Sequence, residues 1–301
     1  MKVEKPNFLI VGSAKCGTTA LASILSNHPD CCMADPKEVC FFQDSMDYKP
    51  NPNFDKGWSW YREAFGHYEG EAAIGEATPS YSDRSRSPLT AKRIYDFNPQ
   101  MRIIYMVRDP LARQISAWKM QWVFGKEGSS PWRREDSWAL EGFETWMKKQ
   151  REVKEWDECR YKFQLSAYQE FFPKNQICVS FLEDWKQEKD AEVARIMEFL
   201  ELDPSKRDVE FREAANRGQD RVIERPFLRR LRYHPAGRKL IDAFPSSLRQ
   251  YARERIAKHK VLPPEAELSQ ALRAEFLDYV ASDCREVLKE FGKDETLWNL
   301  K

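Results

Sequence analysis

Short apolar runs alternate with stretches whose apolar residues recur at helical spacing. Residues 8–11 (F-L-I-V) are four apolar positions in a row, the length of a buried strand. A small-residue turn bounded by Gly12 and Gly17 follows. From Thr18 and Thr19 onward the apolar positions are Ala20, Leu21, Ile24 and Leu25, the period of a helix. Asn27-His28-Pro29-Asp30 stops that helix. A short aromatic helix is predicted over 58–65 and a second strand over 72–76. Ser87 with Pro88 starts a helix running to Phe97, the serine as N-cap and the proline at the first position.

A third strand is predicted over 101–107, followed by a helix carrying Leu111, Ile115, Ala117 and Trp118. Residues 125–134 read as a polar, mobile loop. Helices near 138–150 and 161–172, a strand over 176–182 and an amphipathic helix over 191–202 come next. Strands alternating with helices predict right-handed βαβ units on a parallel sheet. From Arg225 the chain reads helical to its end, broken at Pro235, Pro245 and Pro263-Pro264. No composition shift marks a boundary. The expectation is one α/β domain over 1–301, with a central, mostly parallel sheet and a helical C-terminal part.

Strand, small-residue turn and helix N-terminus together make an anion cradle. Free N–H groups and the positive end of the helix dipole point into the turn. Lys15 adds a charge there, and Thr18 and Thr19 add hydroxyls. The spacing of Gly12 and Gly17 matches a nucleoside-triphosphate loop, but Thr18 stands where that loop has lysine, and the lysine lies inside, at Lys15. This weakens a kinase or NTPase reading, for which Asp109 is the nearest candidate to a magnesium-binding aspartate. A second cationic motif is Arg108 at the end of a strand, with Ser116 about two helical turns further on, a candidate second phosphate site.

The formal net charge of +1 excludes a global electrostatic grip on nucleic acid or membrane. The seven cysteines follow neither a disulfide framework nor zinc spacing, and the histidines show no metal spacing. Reduced thiols, no membrane-length apolar run and a core strand starting near the first residue predict a cytoplasmic protein without a secretory leader.

Lys15-Cys16-Gly17-Thr18-Thr19 resembles the 5′-phosphosulfate loop of sulfotransferases that use 3′-phosphoadenosine 5′-phosphosulfate (PAPS). The stretch from Arg108 to Ser116 resembles their 3′-phosphate motif, in the same order and at similar separation. Pro36-Lys37-Glu38-Val39-Cys40-Phe41-Phe42 resembles a segment of the heparan-sulfate-type branch, and Gly75 through Tyr81 resembles a segment that faces the acceptor. The resemblance covers nearly the whole chain. It implies a P-loop-like three-layer sandwich and sulfuryl transfer from PAPS, releasing 3′,5′-adenosine bisphosphate (PAP), with no metal. It implies Lys15 and Glu38 as catalytic groups, Glu38 being the base. It implies a nucleotide site of Lys15, Cys16, Gly17, Thr18, Thr19, Arg108, Ser116, Arg217 and Gly218. On the acceptor side it implies Lys37, Cys40, Phe41, Thr78, Ser80 and Tyr81. Two positions depart from the heparan branch, which often has histidine at Cys40 and lysine at Ala77. Both lie on the acceptor side. With the near-neutral charge they favour a small-molecule hydroxyl or amine, a natural product for instance, with a carbohydrate as the alternative. A P-loop kinase or a non-catalytic nucleotide-binding protein is the more distant alternative.

Overall fold

In the computed structural model, which describes residues 5–46, 49–127, 133–206, 222–224, 258–260 and 263–300, the described strands are β1 (Phe8–Gly12), β2 (Cys31–Met33), β3 (Ser45–Met46), β4 (Lys49–Pro50), β5 (Ala73–Glu76), β6 (Arg102–Val107), β7 (Ile177–Phe181), β8 (Val222–Glu224) and β9 (Lys258–Lys260). The helices are α1 (Thr18–Leu25), α2 (Gly57–Tyr61), α3 (Thr90–Phe97), α4 (Pro110–Glu127), α5 (Arg133–Leu140), α6 (Phe143–Glu152), α7 (Tyr161–Gln169), α8 (Leu182–Phe199) and α9 (Gln270–Glu290).

Five strands form one sheet in the order β2-β5-β1-β6-β7, every neighbouring pair parallel. The chain starts in the middle at β1, crosses to the edge at β2, returns to place β5 between them, then moves to the other side of β1 for β6 and β7. Strand order therefore reverses next to β1, and ligands bind open α/β sheets outside the carboxyl ends at such a point. Phe8, Leu9, Ile10 and Val11 are completely buried because β1 is covered on both faces, as their unbroken apolar run requires. The expected P-loop-like α/β architecture is the one observed.

Two compact units divide the chain. Met1–Gln114, Gln150–Ala214 and Ser269–Lys301 form the first; Ile115–Lys149 and Ala215–Leu268 form the second. The sheet lies in the first unit. In the second, Trp118 packs on Phe143 with ring centroids 5.3 Å apart and donates its indole N–H to Ala139 O at 3.0 Å.

Register makes one glycine indispensable. Gly75 pairs with Phe8 across β5 and β1, and a Cβ there would lie 2.5 Å from the Phe8 carbonyl oxygen. Gly75→Ala is expected to destabilise the protein by about 1–3 kcal/mol, read by urea denaturation.

Several local expectations are corrected. β2 is an additional strand, three buried residues directly after the helix stop and too short to show a period. The helix read from Ser87 begins at Thr90, because the Ser87 hydroxyl accepts from Ser45 N–H (3.3 Å) instead of capping. The loop read over 125–134 is partly helix: α4 continues to Glu127, while 128–132 lie outside the described residues. The single helix near 138–150 is two, separated at Gly142, whose φ is 123°. α8 begins directly after β7 and kinks at Glu188. The helical reading beyond Arg225, with its breaks at the prolines, is corrected at Lys258–Lys260, which pairs antiparallel with Val222–Glu224, while 225–257 and 261–262 lie outside the described residues. No helix among the described residues is long and apolar enough to cross a membrane, and all seven cysteines are free thiols.

Candidate active site

The turn after β1 forms because Gly17 reaches φ 95° and caps α1 with its carbonyl, which accepts from Ala20 N–H (2.9 Å) and Leu21 N–H (3.1 Å). Gly17, Thr18 and Thr19 precede the first donor of the helix ladder, and among the described residues their own N–H groups meet no acceptor. Ser13 N–H anchors the other end of the turn on Met106 O at 2.7 Å, tying it to β6. Lys15 sits at the crest with a left-handed φ of 70°, a conformation costly for any residue but glycine. Cys16 turns inward. Its side chain is fully buried, its N–H goes to Ser13 O (3.2 Å), and burial pushes its thiol up to about 11. Cys16 thus shapes the turn and presents no side chain to a ligand. Thr18 is buried and Thr19 exposed.

Arg108, the residue after β6, reaches back over this turn. Its Nη1 donates to Lys15 O at 3.0 Å, and its Nε is buried with no hydrogen-bond partner. An orphaned guanidinium N–H beside three open backbone N–H groups is a donor set without an acceptor, which fits a phosphorylated ligand. The exit of β6 is braced from below. Asp109 caps α4 by accepting from Ala112 N–H (2.7 Å), and its second oxygen accepts from Asn299 N–H (3.1 Å). Glu183 accepts from Asp109 N–H and from the Trp298 indole, each at 3.1 Å. Both oxygens of Asp109 are occupied by backbone donors, so it serves as a cap. Ser116 lies on α4 within the second unit, and Arg217 and Gly218 lie outside the described residues.

The 36–42 segment comes to the same turn through Lys37. Its Nζ donates to Thr19 Oγ1 at 3.2 Å and pairs with Glu38 Oε1 at 2.7 Å. Glu38, its side chain 51% exposed, is thereby joined to the α1 terminus through one lysine. The structure brings Lys15, Gly17, Thr18, Thr19, Arg108, Lys37 and Glu38 to the carboxyl end of β1 and its neighbours.

The remaining acceptor-side candidates are mostly internal. Phe41 is buried, stacked on Tyr61 with centroids 4.3 Å apart. Thr78 and Tyr81 are buried, and each directs its hydroxyl to a carboxylate oxygen of Glu76, at 2.6 and 2.7 Å. Cys40 is half-buried at φ 54°, its N–H on Thr78 Oγ1 at 3.2 Å. Ser80 is exposed, with its hydroxyl on Gln43 Oε1 at 2.5 Å.

Glu76 is the residue that sequence reasoning passed over. It is wholly buried at the end of β5 and accepts from the Tyr61 and Tyr81 hydroxyls, the Thr78 hydroxyl and Val39 N–H. Burial pushes its carboxyl above the usual range, against the pull of those four donors. The available signal was an acid ending an otherwise apolar strand, Ala-Ile-Gly-Glu.

Three comparisons bear on this arrangement. The membrane-associated sulfotransferase kil1 of Dictyostelium discoideum is 34% identical over 131 residues, 42% of this chain and 25% of that protein. The human heparan sulfate glucosamine 3-O-sulfotransferase 5 is 32% identical over 124 residues, 41% of this chain and 33% of that protein. These alignments span about a quarter to a third of the curated relatives' length. A crystal structure of a sulfotransferase from Alicyclobacillus acidocaldarius shares the fold, with a TM-score of 0.62 at 22% identity over 97% of this chain and 98% of that one. The Sulfotransferase domain family matches residues 5–218, well over half of the chain, and the chain belongs to that family.

Proposed function

We propose that this protein transfers a sulfuryl group from PAPS to a hydroxyl or amine of a small-molecule acceptor and releases PAP, with 1–301 acting as a single catalytic domain. The observation that carries the reading is the meeting of open N–H groups at Gly17–Thr19, the orphaned Arg108 Nε and the Lys37–Glu38 pair at one end of the sheet. In the proposed reaction the N–H groups of Gly17, Thr18 and Thr19 hold the 5′-phosphate. Lys15 steadies the charge that builds on the departing phosphate as the sulfur–oxygen bond breaks. Glu38 takes the proton that the acceptor oxygen or nitrogen loses as it bonds to sulfur. Arg108 binds the 3′-phosphate; the parts given to Ser116, Arg217 and Gly218 rest on the sequence motifs. The positive charge comes from Lys15 and Arg108, and the reading asks for no metal. The free thiols suit a reducing compartment, the cytoplasm.

The near-neutral net charge favours an uncharged or weakly charged small acceptor over a polyanionic glycan. A second reading, transfer to a carbohydrate hydroxyl, is favoured by the 32% identity to human heparan sulfate glucosamine 3-O-sulfotransferase 5. Incubation with 35S-labelled PAPS and two acceptor panels, hydroxylated or aminated small molecules and desulfated glycans, tests both. Label in a small molecule supports the first reading and label in a glycan the second. Turnover of ATP with magnesium, with no binding of PAP, would overturn both.

Arg108→Ala is expected to weaken PAP binding by about tenfold to a hundredfold, the loss of a charged hydrogen bond worth roughly 1.5–3 kcal/mol. Calorimetric titration with PAP measures it, and unchanged affinity would remove Arg108 from the nucleotide site.

A further inference from the structure

The residues that follow Glu38 have no strand partner. Their backbone N–H groups nevertheless all have acceptors, and all lead to one place. Val39 N–H donates directly to Glu76 Oε2 at 3.0 Å. Cys40 N–H donates to Thr78 Oγ1 at 3.2 Å, and that hydroxyl donates to Glu76 Oε2 at 2.6 Å. Phe41 and Phe42 N–H donate to the Tyr81 hydroxyl oxygen at 2.7 and 3.2 Å, and that hydroxyl donates to Glu76 Oε1 at 2.7 Å. Four consecutive N–H groups thus end on a single buried carboxylate, directly or one hydroxyl away. Lys37 O completes the anchorage by accepting from Ala77 N–H at 3.1 Å, the residue after Glu76.

From this convergence we infer that Glu76 is a positioning residue for the reaction: it sets the 38–42 loop and so places the carboxylate of Glu38. The inference rests on the reading of Glu38 as the base. Glu76 contacts no reacting atom and acts through the loop. Its charge is what the loop's polarity demands. Val39 N–H can only donate. The Tyr81 oxygen already accepts two N–H groups, so its proton must point at Glu76. A carboxylate accepts on both oxygens, whereas an amide accepts on one. Glu76→Gln therefore sets a donor against either Val39 N–H or the Tyr81 hydroxyl, whichever way the amide turns. The consequence is local, because the turn at 13–19 is held by separate bonds to Met106 and Arg108. Displacing a catalytic group by as little as about 1 Å is enough to cost up to a hundredfold in rate.

The test uses the full chain with Glu76→Gln, Glu38→Gln and the double substitution. In Glu76→Gln, amide hydrogen exchange at 39–42 is expected to speed up by about tenfold or more, with exchange in β1 and α1 unchanged. PAP affinity should hold, KM for PAPS should stay near the parent value, and kcat should fall by about tenfold to a hundredfold. Added to Glu38→Gln, the second substitution should lower the residual rate by less than about twofold, because both act on one element. Independent, multiplying losses in the double variant, unchanged kcat in Glu76→Gln, or unaltered exchange at 39–42 would each overturn the inference. If Glu76→Gln does not fold, Tyr61→Phe replaces it. That variant removes one hydroxyl donor to Glu76 (2.7 Å) and keeps the ring stacked on Phe41. It should reproduce a smaller kcat loss and the same non-additivity with Glu38→Gln, and multiplying losses there would also overturn the inference. If the parent protein transfers no sulfuryl group, the functional reading fails, and exchange at 39–42 alone decides whether Glu76 anchors the loop.

Discussion

Lys15→Ala is expected to lower kcat for sulfuryl transfer by about a hundredfold to a thousandfold, the range seen when a donor aimed at developing charge is removed. The backbone geometry makes this a clean test. Lys15 holds φ 70°, and alanine and lysine meet the same Cβ penalty there, so the substitution leaves the turn's conformational cost unchanged. The contact that fixes the crest uses the carbonyl of residue 15, which accepts from Arg108 and survives the substitution. What disappears is the ammonium. A strained non-glycine residue at a ligand-binding turn is itself a reason to look for function there, since the surrounding bonds must maintain it. PAP release under saturating PAPS, followed in rapid-quench experiments, measures the effect, and PAP affinity measured in parallel separates chemistry from binding. A variant retaining most of its kcat would remove Lys15 from the reaction.

The turn was legible in the sequence because everything that makes it is contiguous: four apolar residues, two glycines and a helix start within 8–25. Arg108 was legible for a related reason, since the end of an apolar run in an α/β chain marks the ligand edge of the sheet. Glu38 was visible only through family resemblance, and what joins it to the turn, Lys37 between Thr19 and Glu38, is tertiary. The acceptor-side candidates show where reading by proximity in sequence stops. Thr78 and Tyr81 flank a plausible cleft segment, yet both hydroxyls point to a buried carboxylate that looks, in sequence, like the polar end of a strand. β2 was illegible for want of length, and the start of α3 because Ser87 is engaged by Ser45. Local periodicity reports which residues face a core. It does not report which hydrogen bonds close across distant segments, and the backbone N–H groups of 39–42 all end on such bonds.

Glu38→Gln should lower kcat by about a hundredfold or more while leaving PAP binding and stability nearly intact. The structure separates these quantities. The Glu38 side chain is 51% exposed and its partner Lys37 is 27% exposed, and solvent-exposed ion pairs of this kind contribute only about 0–1 kcal/mol to folding. The glutamine is nearly isosteric and can still accept from Lys37 at the position of Oε1, so Lys37 keeps its approach to Thr19. The lost property is the ability to take a proton. Glu76 is the necessary contrast. It is the buried carboxylate with four hydrogen-bond donors, and its replacement disturbs the loop, whereas replacement of Glu38 leaves the loop in place and removes only the base. Full activity in Glu38→Gln would assign the acceptor's proton to another group.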